Sequence, residues 1–202
     1  MKLVCLDLEG VLVPEIWIAF AEASGIPELR RTTRDEPDYD RLMKFRLALL
    51  KERGLTIRDI QAVINTMTPL DGAWDFIHTL RSKTQVIILS DTFEEFARPL
   101  MAKLDYPTLF CNNLVIAEDG TVTDYQLRQQ NGKMQAVRAL KSINMEIFAA
   151  GDSFNDLAMI READEGCLFR APEGIRSSCT DLDCMDSYQD LLGRIERFLQ
   201  RP

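Results

Sequence analysis

Two carboxylates end an apolar run in the segment Val4-Cys5-Leu6-Asp7-Leu8-Glu9-Gly10-Val11-Leu12-Val13. The interior of a buried strand has no use for an unpaired charge, which costs several kcal/mol in apolar surroundings. At a strand's C-terminal end the same group faces the crevice where open α/β sheets bind ligands. Residues i and i+2 of a strand point to one side, so Asp7 and Glu9 are expected to face one site. A second turn, Gly151-Asp152-Ser153-Phe154-Asn155-Asp156, adds two more carboxylates after another apolar run. Asp152 begins that turn and Asp156 begins or caps the next helix. A cap accounts for one aspartate and leaves the other without a structural use. Asp7, Glu9 and Asp152 together offer carboxylate and backbone oxygens suited to Mg²⁺, which prefers an octahedral oxygen shell. Like charges in one crevice repel without a cation, so a metal ion is the physical expectation.

Ser90-Asp91-Thr92 also follows an apolar run and precedes a helical pattern. Its hydroxyls and the first helical N–H groups would form an anion site, although the same residues also suit an ordinary N-cap. Lys133 opens the following helix, the unfavourable end for a cation. A bound anion would compensate it there; a solvated surface lysine is the plainer alternative. Together these residues describe phosphoryl transfer through a covalent aspartyl phosphate. That reaction needs a carboxylate nucleophile, charge neutralisation, a cationic clamp and an acid/base. Asp7 would attack, and Glu9 would protonate the leaving oxygen and then activate the acceptor. Ser90 and Lys133 would hold the phosphoryl oxygens, with Asp91 beside Ser90 among the substrate-binding positions. Asp156 would orient Lys133 or the metal waters.

The elements that must position these groups are written in the rest of the chain. At 202 residues, 46% hydrophobic and 28% charged, it suits one domain with a sizeable core, or a core plus a small insert. A net charge of −8 argues against nonspecific binding to nucleic acid or anionic membrane. No long apolar run is present, so neither a signal peptide nor a membrane span is expected. The odd set Cys5, Cys111, Cys167, Cys179 and Cys184 lacks a C-x-x-C pair and fits a reducing cytoplasm. His78 is the only histidine and falls on the surface of an amphipathic helix, which removes the usual zinc sites and Ser-His-Asp or Cys-His systems.

Apolar, β-branched runs at residues 3–8, 85–89, 146–150 and 166–169 read as buried parallel strands. Helical patterns cover 70–82, 93–104, 133–143 and 156–163, and the tail at 190–199 reads as a final helix. The alternation predicts an α/β fold, a doubly wound, Rossmann-like parallel sheet. Residues 14–69 hold three helical stretches, 16–23, 39–53 and 56–67, with a loop at 30–37. They read as a small helical cap inserted after the first strand, the core being 1–13 and 70–202. Residues 113–127, turning at Glu118-Asp119-Gly120, read as a hairpin. The polar ends of the first three strands would gather at one edge.

The ordered elements Asp7-x-Glu9-Gly10-Val11-Leu12, Leu89-Ser90-Asp91, Lys133 and Gly151-Asp152-x-x-Asn155-Asp156 resemble the motifs of the haloacid dehalogenase-like phosphatases. Met67-Thr68-Pro69-Leu70-Asp71-Gly72-Ala73 and residues 39–51 are similar to the phosphoserine phosphatase branch, and the likeness spans about residues 3–170. One departure stands out: most members carry Asp where this chain has Glu9, which is longer by one methylene. The opening Asp7-Leu8-Glu9-Gly10-Val11-Leu12-Val13-Pro14-Glu15 is similar to a bacterial subfamily described as bifunctional, hydrolysing phosphoserine and passing the phosphoryl group to homoserine. The resemblance therefore implies a small phosphoamino acid as substrate, and homoserine as a second acceptor. It also implies that Arg46 pairs with a substrate carboxylate, for which its bidentate fork is well shaped. Glu15 would accept from an α-ammonium group, and Asn155 would stand near the substrate. Arg46 also lies in a basic helix with Arg41, Lys44 and Lys51, where a solvated face is the alternative, and Tyr39 equally suits the core of the cap.

A cap of this size would close over a small molecule and exclude a polymer. Two other readings keep the fold: the same chemistry on another small phosphomonoester, or a catalytically silent binding protein. The second leaves Asp7, Lys133, Asp152 and Asp156 without a purpose. Oligomeric state is not legible in the sequence.

Overall fold

A computed structural model of the chain describes residues 1–33, 35–36 and 38–201. The expected loop at 30–37 falls partly outside them, at Arg34 and Pro37. Strand β1, Lys2–Leu6, occupies the centre of the sheet because it can be buried on both faces. Its successive side chains go to opposite sides. Val4 and Leu6 join one core with Phe148 and Ala150; Leu3 and Cys5 join the other with Ile147 and Ala149. Either side of β1 lie β2 (Gln85–Phe93) and β5 (Glu146–Gly151), both parallel to it, so that Cys5 faces Ile87 on one side and Ala149 on the other.

Beyond them stand β3 (Thr108–Ile116) and β4 (Val122–Gln126) on one flank, β6 (Glu165–Phe169) and β7 (Cys184–Met185) on the other. The order is β4-β3-β2-β1-β5-β6-β7, parallel throughout except for β4. The first core is covered by α4 (Ala73–Arg81), α5 (Glu94–Lys103) and α9 (Tyr188–Gln200), and the second by α6 (Gly132–Ser142), α7 (Leu157–Glu162) and α8 (Glu173–Ser178). Helices on both faces of a mostly parallel sheet make this the expected doubly wound α/β fold.

Between β1 and α4 come α1 (Ile16–Ser24), a 3₁₀ turn at Pro27–Arg30, α2 (Tyr39–Glu52) and α3 (Ile57–Thr66). Asp38 caps α2, accepting from the Arg41 N–H, and Thr56 with Asp59 forms a reciprocal capping box at α3. These helices also bury apolar faces against the rest of the chain: Trp17 meets Phe96 edge-on at 5.5 Å, and Tyr39 meets Tyr125 at 5.7 Å.

Several expectations need correction. Strand β1 ends at Leu6, not residue 8; Asp7 makes the last ladder bond, its N–H donating to the Ala150 carbonyl at 3.0 Å. The chain then folds back, the Leu12 and Val13 N–H groups donating to the Leu8 carbonyl. It is this turn, not strand alternation, that brings Glu9 to the same side as Asp7. Strand β2 runs on to Phe93 through a register break after Leu89, so α5 starts only at Glu94 and its N-terminus does not adjoin Ser90. The hairpin's first strand begins at Thr108 and pairs with β2 before it meets β4. One short run serving two partners carries no separate signal for each. The two-residue β7 and six-residue α8 are too short for a periodic pattern.

Candidate active site

The C-terminal ends of β1, β2 and β5 converge as the sequence requires. A cleft there encloses about 700 Å³, part of it continuous with solvent. Asp7, Glu9, Glu15, Arg46, Ser90, Asp91, Lys133, Asp152 and Asn155 all line it. Asp156, fully buried, lies behind this wall.

Lys133 is the hub. Its Nζ donates to Asp156 Oδ1 at 2.7 Å and stands 2.9 Å from Asp7 Oδ1 and 3.8 Å from Asp91 Oδ2. The second turn of the chain shapes Asp156 for this role. Oδ2 of Asp156 accepts from the N–H groups of Asp152 and Ser153, both at 3.0 Å, and from the Ser153 hydroxyl at 2.9 Å. Both of its oxygens are thereby engaged. Asp7 Oδ1 also accepts from the Leu8 N–H at 2.7 Å. Burial works against the Lys133 ammonium, but Asp156, Asp7 and Asp91 outweigh it and hold its pKa well above the ordinary lysine value. Asp7 is driven the other way: burial, then Asp156 and Asp152, raise its carboxyl well above the usual range against the opposing pull of Lys133. Three carboxylates here share one ammonium, and the balance is short of positive charge.

Ser90, expected to bind phosphate, lines the cleft, but the N-terminus of α5 does not adjoin it. Ser90 is buried in the cleft wall, and its Oγ accepts from the Thr92 N–H at 3.2 Å. Asp91 accepts from Asn155 Nδ2 at 2.8 Å, tying the second strand end to the third. Its backbone carbonyl accepts from Asn112 Nδ2 and from the Tyr39 hydroxyl, at 3.0 and 3.2 Å.

Arg46 does not lie on the solvated face that its basic neighbours suggest. It is 6% exposed, with its guanidinium carbon 4.4 Å from the Trp17 ring centroid and Nη2 donating to the Arg31 carbonyl at 2.6 Å. Its Nε is buried without a hydrogen-bond partner, and no carboxylate pairs with it among the described residues. Burial lowers its pKa to about 10, with Tyr39, Glu9 and Glu15 pulling the other way. Glu9 accepts from the Ile16 N–H at 2.8 Å through Oε2, and Thr92 also bonds to it. Burial and the neighbouring Glu15 push Glu9 up to about 7.

Reading the sequence missed Trp17 and the 32–33 pair on the cleft wall, and left Tyr39 open between site and core. Trp17 lies on the apolar face of α1, where a ring reads as packing; its role as a platform under Arg46 exists only once α1 and α2 meet.

The chain matches the haloacid dehalogenase-like hydrolase family over residues 1–164. The chain belongs to that family. It is 54% identical over 191 residues to the phosphoserine phosphatase of Pseudomonas syringae pv. tomato, covering 95% of this chain and 81% of that one. Against phosphoserine phosphatase ThrH of Pseudomonas aeruginosa the identity is also 54%, over 95% of this chain and 93% of that one. A solved substrate-bound phosphoserine phosphatase complex shares the fold, with a TM-score of 0.79 at 22% identity, covering 96% of this chain and 97% of that one.

Haloacid dehalogenase-like hydrolases generally need a divalent metal ion, and the residues present fit one. Asp7, Asp152 and Asp156 bring carboxylate oxygens within 4.8 Å of one another, a hard, all-oxygen donor set. Gly10, at φ +76°, leaves room beside them, since a Cβ there would come within 2.5 Å of the Asp152 carboxylate. Asp7, Glu9 and Asp152 are the metal set expected from the sequence, through carboxylate and backbone oxygens. Glu9 Oε2 accepts from the Ile16 N–H, and Glu9 is not one of the three clustered carboxylates. Among the described residues no helix is long and apolar enough to cross a membrane.

Proposed function

We propose that this hydrolase is a Mg²⁺-dependent phosphoserine phosphatase that also passes the phosphoryl group to homoserine. Residues 14–69 form the cap of its substrate cleft, over a core of 1–13 and 70–202. The identity of 54% to two phosphoserine phosphatases supports the substrate. The observation that carries the reading is Arg46: a buried guanidinium with an unmet donor, lining the same cleft as Asp7 and Lys133. A ligand carboxylate would satisfy it, and the neighbouring Glu15 suits an ammonium group. One end of the cleft thus fits an amino acid and the other a phosphate.

Asp7 Oδ1 is held by Leu8 and Lys133, which leaves Oδ2 as the attacking oxygen. As it bonds to phosphorus, the bond from phosphorus to the serine oxygen breaks and Glu9 supplies the proton that oxygen needs. Glu9 then takes a proton from water, whose oxygen attacks the phosphorus and frees Asp7. The homoserine hydroxyl substitutes for water in the transfer reaction. Lys133 and the Ser90 hydroxyl hold the phosphoryl oxygens, Asp156 keeps Lys133 in place, and Asn155 braces Asp91. Mg²⁺, held by Asp7, Asp152 and the backbone oxygen of Glu9, would neutralise phosphoryl charge. The free cysteines support a reducing, cytoplasmic setting.

The test is phosphate release from O-phosphoserine with Mg²⁺, with and without homoserine, beside Asp7→Asn. Release that requires Asp7, with phosphohomoserine formed at its expense, is the expected result. Release unaffected by homoserine would remove the transferase half. A folded protein inert toward O-phosphoserine would remove the substrate assignment.

A further inference from the structure

The family match ends at residue 164, yet the chain beyond it reaches back to the catalytic loop. Within that loop the Leu12 and Val13 N–H groups donate to the Leu8 carbonyl at 2.8 and 3.1 Å, and the Gly10 N–H donates to the Val13 carbonyl at 2.8 Å. The Val11 carbonyl, at the crest of the turn, accepts the hydroxyl of Tyr188 at 2.6 Å, across 177 positions of sequence. Tyr188 is the first residue of α9. Its ring stacks with Phe76 and with Phe169, at centroid distances of 4.8 and 5.0 Å, and the Arg170 guanidinium lies 4.6 Å from its centroid. Its edge meets Gly72, where a Cβ would stand 3.2 Å from the ring. Gly72 closes the linker that returns from residues 14–69, and in the same linker the Leu70 N–H donates to the Leu12 carbonyl at 2.9 Å.

One side chain therefore touches both the loop that leaves β1 and the linker that returns to α4. Three aromatic and cationic neighbours hold the ring, so the hydroxyl is a fixed point against which the loop can rest. Burial pushes that hydroxyl up to about 12, which keeps it a donor through the neutral range.

We infer that Tyr188 is a positioning residue: by holding the Val11 carbonyl it fixes the turn that sets Glu9 against Asp7. The inference rests on the reading of Asp7 and Glu9 as the reacting groups. A reacting geometry lost by about 1 Å costs on the order of 100-fold in rate, and a loop released at one bond loses part of that. The terminal helix, which carries no chemical motif, thus acts on the reaction through the loop.

Tyr188→Phe keeps the ring and its stacking and removes only the hydroxyl. Amide hydrogen exchange over residues 8–13 is measured on the free protein, with Tm, and kcat and KM for O-phosphoserine and for p-nitrophenyl phosphate. Exchange in that segment should quicken about tenfold and kcat fall about tenfold on either substrate, a share of the loss that full misplacement brings. KM should stay within about twofold and Tm within a few degrees. Unchanged exchange overturns the proposal, as does faster exchange with wild-type kcat. A collapse in Tm would assign Tyr188 to the core alone and overturn it too. A wild-type protein inert toward O-phosphoserine but active on p-nitrophenyl phosphate would count against the substrate alone. Exchange needs no substrate, so the hold on the loop is decided in every case.

Discussion

Lys133, in the first turn of α6, and Asp156, just before α7, form a buried pair at 2.7 Å, and the other Asp156 oxygen is bound by the turn that begins at Asp152. A single carboxylate thus orients the cation and shapes the loop. Removing Asp156 would take one of three carboxylates from Lys133 and leave the Asp152 and Ser153 N–H groups without their acceptor.

Asp156→Ala should therefore cost about 1–3 kcal/mol, the usual result of leaving buried donors without their acceptor. Urea unfolding measures this, and phosphate release from O-phosphoserine should fall with it at least 100-fold. A loss below about 1 kcal/mol would mean that the turn at Asp152 holds without this acceptor.

Asp7→Asn should abolish turnover yet leave the metal-free protein at least as stable as wild type. It takes one of three carboxylates from a site with a single ammonium. Thermal unfolding in EDTA reads the difference. Adding Mg²⁺ should raise Tm more in wild type than in the variant, because a ligand that binds only the folded state stabilises it.

Gly10→Ala should lower activity and metal affinity together. The backbone at φ +76° disfavours a side chain, and the new methyl would press on the Asp152 carboxylate. A strained position of this kind costs on the order of 1–3 kcal/mol. Mg²⁺ titrations of activity should shift to higher concentration; an unshifted curve would separate Gly10 from the metal.

Arg46→Ala should raise KM for O-phosphoserine by about 10–100-fold, the range of a lost charged hydrogen bond. Hydrolysis of p-nitrophenyl phosphate, which lacks a carboxylate, should change little. Equal loss on both substrates would make Arg46 structural.

Acid stability should depend on Asp164. Burial tends to raise its carboxyl, but the Ile147 N–H at 2.8 Å and the Lys141 ammonium outweigh burial and hold it below the ordinary range. A folded pKa below the unfolded value of about 3.9 gives stability that is present above that value and lost as pH falls through the folded pKa. The urea midpoint of wild type should drop between about pH 4 and pH 2, and Asp164→Asn should show a shallower drop.

The residues of the cleft were legible because their cost is local. A carboxylate at the end of Val4-Cys5-Leu6, or a lysine at the start of a helix, is unfavourable by itself and points to a compensating partner. The unbroken apolar run of β1 and the alternation of strands with helices also follow from local pattern, which is why the doubly wound sheet could be read from the chain alone. Tertiary structure alone decided what depends on distant surfaces meeting. It took Arg46 from a basic helix face to a buried seat on Trp17, set the Glu9 carboxylate on the Ile16 N–H, and carried β2 past Ser90. It also placed Tyr188 against Val11, across 177 positions. A contact between residues so far apart leaves no periodicity and no motif, because its energy exists only when the intervening sheet has folded.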